Sequence, residues 1–99
     1  MNKTLYSEQQ QLFLTQLKEV RQQSKLSQIE LAARLGMQQS DVSKCERGVR
    51  RLDVIELRSW IEALGLSFAA FTAELDARLT DVARRNARSR PLRPKVGGA

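Results

Sequence analysis

The sequence predicts an all-α domain of five helices, and three observations carry that prediction. Apolar residues recur at spacings of three and four, and no stretch alternates at two. Ser7 with Gln10, Ser27 with Glu30 and Asp53 with Glu56 have the residue types and spacing of capping boxes, where a side chain and a backbone N–H at a helix start satisfy each other. Gly36, Gly48 and Gly65 stand just beyond apolar-periodic segments, where a helix stops. With 99 residues, 41% of them apolar, the chain is sized for one small core.

In chain order, Ser7 is expected to cap a first helix ending near Gln23, with Phe13, Leu17 and Val20 on one face and Leu12 beside them. Ser27 opens a short second helix in which Leu31, Ala32 and Leu35 face inward and Gly36 is the stop. A third helix runs from about Gln39 to Arg47, with Val42 and Cys45 inward, and Gly48 ends it. Asp53 caps a fourth, whose apolar face is Val54, Leu57, Trp60, Ile61 and Leu64. Ser67 caps a fifth, with Phe68, Phe71, Leu75, Leu79 and Val82 stepping by three, four, four and three. From Arg88 to Ala99, two prolines, two glycines and four basic residues predict a disordered basic tail. The organisation is therefore an N-terminal lead over 1–11, a domain over 12–76, a helical extension over 77–87 and the tail over 88–99.

Several functions are removed by composition. There is no histidine, which excludes His-based metal sites, Ser-His-Asp triads and Cys-His dyads, and the single cysteine, Cys45, cannot form an intramolecular disulfide. No cluster of nucleophile, base and orienting residue is present, so an enzyme is the weakest candidate and neither cofactor nor metal is expected. The longest wholly apolar run, Phe68 to Phe71, is far short of the roughly 20 residues of a membrane span. The N-terminus is polar rather than signal-like. A cytoplasmic protein is expected.

The charge is unevenly placed. Residues 1–77 hold ten basic and ten acidic side chains, so the whole net charge of +6 arises after them, where seven basic residues face Asp81 alone. A second, local cluster is Lys44, Arg47, Arg50 and Arg51, opposed only by Glu46. Two basic patches on a neutral body suggest a polyanion partner, although a solvated tail and a solubilising surface have the same composition.

Most of the information lies between Gln28 and Gly48. Two helices joined as tightly as the second and third must cross steeply, which limits side-chain size at particular places. Counting Gln28 as the first position, the fifth is Ala32, small enough for close approach, and the ninth is Gly36, at the turn. Positions four, eight, ten, fifteen and eighteen are Leu31, Leu35, Met37, Val42 and Cys45, all apolar. Together these describe a helix-turn-helix. With Val42 and Cys45 inward, the opposite face of the third helix presents Gln38, Gln39, Ser40, Ser43, Lys44 and Arg47, all able to hydrogen-bond a nucleic acid. Arg47, Arg50 and Arg51, at its end and in the next loop, are candidate phosphate anchors, and Gln38 is counted with them; Arg50 and Arg51 read equally well as exposed loop charges.

Over about residues 12–76 the sequence resembles the Cro/CI-type, or xenobiotic-response-element-type (XRE), helix-turn-helix regulators. The likeness is carried by Leu26-Ser27-Gln28, Leu31-Ala32, Leu35-Gly36, the run Val42-Ser43-Lys44-Cys45-Glu46-Arg47-Gly48, and Ala63-Leu64-Gly65-Leu66. It implies a five-helix, lambda-repressor-like DNA-binding domain whose third helix lies in the major groove, usually as a two-fold dimer on a palindromic operator. It also implies that Gln39, Ser40, Ser43 and Lys44 face bases, and that Gln28 holds phosphate and supports Gln39. Finally, it pairs Glu46 with Arg21 on the first helix as a structural ion pair. The chain departs from the family in its longer first helix and in a fifth helix that continues into an Arg-rich tail. The adjacent Gln38-Gln39 pair is displaced by one position from the Gln-Gln pair of some phage repressors, so no operator preference carries over.

Cys45 and Trp60 read as core. An inward thiol with no second cysteine to resolve an oxidised state is inert packing rather than a redox switch, and Trp60 shares a face with Leu57, Ile61 and Leu64. Leu75, Leu79 and Val82 extend the apolar face of the fifth helix beyond what a domain of this size covers, which suggests a homodimer; the alternative is packing onto the first helix through Leu5, Tyr6 or Leu12. The expected function is a sequence-specific, non-enzymatic regulator of transcription, a repressor binding double-stranded operator DNA as a homodimer. The principal rival is the antitoxin of a toxin–antitoxin pair, with a protein partner and DNA binding for autoregulation. A third reading is RNA binding through the tail.

Overall fold

Helix formation in this chain follows its polar punctuation closely. In the computed structural model, which describes residues 3–87 and the side chains from Ser7 onward, the elements are α1 (Lys3–Gln23), α2 (Gln28–Leu35), α3 (Gln39–Glu46), α4 (Val54–Ala63) and α5 (Phe68–Ala87). There is no strand among the described residues, and the fold is all-α as expected. Ser27 Oγ accepts from the Glu30 N–H at 3.0 Å while Glu30 Oε1 accepts from the Ser27 N–H at 2.9 Å. Asp53 and Glu56 make the same exchange at 2.7 and 3.0 Å, and Ser67 Oγ accepts from the Ala70 N–H at 3.1 Å. Each bond satisfies a donor that a helix start leaves without an intrahelical acceptor.

The core forms where these helices converge. Leu17, Leu31, Ala32, Val42, Cys45, Trp60, Ile61, Leu64 and Phe71 are buried together, and Phe13, Val20, Leu26, Leu35, Met37, Leu57, Phe68 and Leu75 close around them. Ala32 and Gly36 fulfil their places in the α2–α3 turn: Ala32 is buried, and Gly36 is left-handed at φ 66°. Gly48 is left-handed too, at φ 77°, and a Cβ built there would lie 2.8 Å from Leu14 Cδ1, so its hydrogen is both a conformational and a packing requirement.

The structure corrects three expectations. Ser7 does not cap α1, because the helix already begins at Lys3 and Ser7 sits inside it. Helix α5 is continuous from Phe68 to Ala87, through the extension expected over 77–87. Val54 is 63% exposed, as the apolar period of α4 runs one turn past the core that it packs on. The largest correction concerns the stripe Leu75, Leu79 and Val82. Val82 is only 2% exposed within the single chain, Leu75 packs against the core, and Leu79 is half-buried. Helix α1 lies along α5: the Arg78 guanidinium donates to Glu19 Oε1 at 3.0 Å and Asn86 Nδ2 donates to Glu8 Oε2 at 3.2 Å, on either side of Val82. Val82 is thus covered within the single chain, while Leu75 and Leu79 each keep part of their surface exposed. Leu12 is half-buried in α1, the side chains of Leu5 and Tyr6 fall outside the described residues, and so does the tail over 88–99.

Candidate nucleic-acid interface

A carboxylate among cations has to be neutralised internally if the surface beside it is to attract a polyanion, and Glu46 is. Its Oε2 accepts from Arg21 Nε at 2.6 Å and its Oε1 from Arg21 NH2 at 3.0 Å, a two-pronged ion pair with both side chains buried. Arg21 also donates to the Leu26 carbonyl at 2.9 Å, which fastens the α1–α2 turn. The same Glu46 Oε1 accepts from Gln28 Nε2 at 2.9 Å, and Gln28 Oε1 accepts from Gln39 Nε2 at 2.7 Å. A continuous chain of hydrogen bonds therefore runs from buried Arg21 on α1, through Glu46 on α3 and Gln28 on α2, to exposed Gln39 at the start of α3. It keys three helices to one another with polar geometry. Gln39 keeps one amide N–H and its carbonyl free, with the plane of the amide held by Gln28.

The remaining α3 side chains follow from its two faces. Val42 and Cys45 are buried, and Gln38, Gln39, Ser40, Lys44 and Arg47 are exposed. Ser43 is half-buried, and its Oγ accepts from Arg47 Nε at 3.3 Å. Gln38 precedes the helix with extended backbone and donates its N–H to Asp41 Oδ2 at 3.4 Å. Burial pushes the Cys45 thiol pKa up from its ordinary value, despite the opposing hydrogen bond from Arg50 NH1 to Sγ at 3.5 Å, so the neutral thiol is favoured.

The loop after α3 separates two arginines that the sequence could not tell apart. Arg50 turns back: its NH2 donates to Glu56 Oε2 at 3.0 Å, and the side chain is half-buried. Arg51 is exposed. Glu56 thus serves twice, one oxygen in the α4 capping box and the other on Arg50. The sequence signals Glu56 as a cap and gives no sign of its second partner. The outward-facing cations here are Lys44, Arg47 and Arg51, while Arg50 is engaged in holding the loop to α4.

Two further residues of α1, Leu14 and Gln16, are buried beyond those the apolar face named. Leu14 was legible, being three residues before Leu17 on the helical period, but Gln16 was not. Gln16 is 2% exposed and its Nε2 donates to the Phe71 carbonyl at 2.9 Å, across 55 residues. Its Oε1, like Trp60 Nε1, is buried without a hydrogen-bond partner.

Two short helices crossing at a glycine turn, the second presenting an all-polar face flanked by cations, define a helix-turn-helix DNA-binding domain. The sequence profile of the Helix-turn-helix family matches residues 17–71, more than half of the chain. Among solved structures, the chain is similar to an XRE-family like protein from Pseudomonas syringae pv. tomato str. DC3000, with 42% sequence identity and a TM-score of 0.72; the match covers 77% of this chain and 93% of that one. No curated protein matches it significantly. The chain belongs to the XRE-type helix-turn-helix family and is a DNA-binding transcription regulator. No helix among the described residues is long and apolar enough to cross a membrane.

Proposed function

We propose that this chain is a repressor that reads a palindromic double-stranded operator as a homodimer, working in the cytoplasm without a cofactor. The observation that carries the reading is the hydrogen-bond chain ending on Gln39, which orients a base-reading amide from inside the core. A glutamine in the major groove pairs with adenine through one N–H and its carbonyl, the two groups that Gln28 leaves free. Ser40, Ser43 and Lys44 complete the base-facing set, Lys44 as a donor to guanine O6 and N7. Arg47, Arg51 and Gln38 hold phosphates at its edges, and Gln28 combines a phosphate contact with its support of Gln39. Arg50 contributes through the loop, since its charge is engaged by Glu56. The tail over 88–99 adds sequence-independent attraction to the same polyanion.

The test is selection of binding sites from a random duplex library, followed by affinity measurements across salt. The expected product is a palindrome with half-sites about 34 Å apart. Gln39→Ala and Lys44→Ala should each cost about 1–3 kcal/mol of discrimination at one base position. Arg51→Gln should weaken all duplexes alike and reduce the salt slope by about 1, whereas Arg50→Gln should act mainly on stability. Binding without enrichment of any sequence would overturn the reading. Recovery of a second polypeptide bound to the chain, in place of an operator, would move it to the antitoxin alternative.

A further inference from the structure

A hollow of about 260 Å³ lies between the second half of α1 and the start of α5, with the α4–α5 turn at one end. Its apolar side is Val20, Leu66, Ala70 and Phe71, and Leu66 is 40% exposed there although large and apolar. Its polar side carries Gln16, Glu19, Glu74 and Arg78. No residue of α3 lines it, so it stands apart from the polar face described above. Two features of the polar side are incomplete in the free chain. Gln16 is 2% exposed, and while its Nε2 is bound to the Phe71 carbonyl at 2.9 Å, its Oε1 has no hydrogen-bond partner. An acceptor in that state is costly, and a donor brought to it recovers the loss. The charges are also unequal. Arg78 Nε donates to Glu74 Oε2 at 2.7 Å and its NH1 to Glu19 Oε1 at 3.0 Å, so one guanidinium serves two carboxylates. The local charge is negative in a chain whose net charge is +6, and the second oxygen of each carboxylate is left without a hydrogen bond.

We propose that this hollow binds a small organic cation, a protonated amine carried on a short apolar or aromatic body. The body packs against Val20, Leu66 and Ala70, and the ammonium group supplies the N–H donors that Gln16 Oε1 and the free oxygens of Glu19 and Glu74 lack. Size follows from volume. A cavity of about 150 Å³ accepts benzene, so this one holds about ten heavy atoms, a ring with a short side chain rather than a stretch of polypeptide. Charge then selects among molecules of that size. An anion meets two carboxylates, and a neutral alcohol offers a donor to Gln16 but leaves the excess negative charge unanswered. The site is independent of operator reading, since it shares no residue with the polar face of α3.

The experiment titrates the full chain with 2-phenylethylamine, 2-phenylethanol and phenylacetate, three molecules of one shape and different charge, and follows calorimetry and backbone amide shifts. The amine should bind in the low millimolar range or tighter, and shift the amides of Val20, Leu66, Ala70 and Phe71. It should exceed the alcohol by about fivefold or more, and phenylacetate should not bind. The N-trimethylated amine keeps the charge without an N–H, and should bind about threefold or more below its parent. Glu74→Gln should lower amine affinity by about threefold or more and leave the alcohol unchanged. Ala70→Phe, which fills the hollow from an exposed position, should abolish both with the helix content unchanged. Equal binding of amine and alcohol, or comparable binding of phenylacetate, overturns the assignment of a cation. A trimethylated amine as tight as its parent overturns the part given to Gln16. Amine binding that survives in Ala70→Phe, or shifts confined to other residues, overturns the site, and absence of binding overturns the whole proposal.

Discussion

The α2–α3 pair and the α1–α5 pair solve the same problem, holding two helices together, by opposite means. Helices α2 and α3 have eight residues each, too few to persist alone, and they are fixed by a glycine turn, a capping box and a buried ion pair. Helices α1 and α5 have 21 and 20 residues and meet along their length through Val82, Gln16 and partly exposed polar pairs at Glu8 and Glu19. The first pair is held by a few specific contacts that span 11 to 25 residues, the ion pair reaching α1, and the second by contacts that span 55 to 78. Removing one contact should therefore be expensive in the first region and mild in the second.

The comparison is tested most severely at Glu46. Glu46→Ala leaves Arg21 buried with an uncompensated charge and releases Gln28, and should cost about 3–5 kcal/mol in urea unfolding. An unchanged unfolding midpoint would show that α3 is held by apolar packing alone. Gly48 is the next test. Gly48→Ala combines a left-handed φ with a 2.8 Å approach to Leu14, whereas Gly36→Ala has the same backbone cost in open space. We expect about 2–3 kcal/mol for the first and about 1 kcal/mol for the second. Equal losses would mean that Leu14 rearranges freely and that only backbone conformation matters at Gly48. The smallest effect belongs to the α1–α5 pair. A double-mutant cycle on Arg78 and Glu19 should give a coupling of about 0.2–1 kcal/mol, falling with added salt, because both side chains are about a third exposed. A coupling as large as that at Glu46 would abolish the contrast.

The sequence made the first region legible because its constraints are local. Ser27 with Glu30, Ala32, Gly36 and the inward Val42 and Cys45 each answer to neighbours within a turn or two, so residue type and spacing suffice. The Arg21–Glu46 pair lies further apart and was legible only through resemblance to a family; the hydrogen bond between Gln28 and Gln39 likewise fits the support that the resemblance implied. The base-facing set over α3 was read from the sequence as a face, and which of its members meet bases is a matter for the selection experiment. Arg50 and Arg51 show where such reading stops. Both are arginines in one loop, and only the path of that loop past Glu56 commits one inward and leaves the other exposed.

What the sequence by itself determined is the all-α class, the places where four of the five helices start or stop, and the helix-turn-helix with its polar face, because helical period, caps and turn glycines act over a few residues. Tertiary structure alone decided that α1 begins at Lys3 and lies along α5 beside Val82, that Gln16 reaches Phe71, and that Ile29, Val49, Val54 and Ile55 stay exposed. An apolar stripe states that something must cover it, and the period of a helix carries no record of what. In this chain the candidates were a second copy and a helix some 60 residues away in the same chain, both apolar on one face. Only packing in three dimensions, where one helix fills the space that the other leaves, distinguishes them.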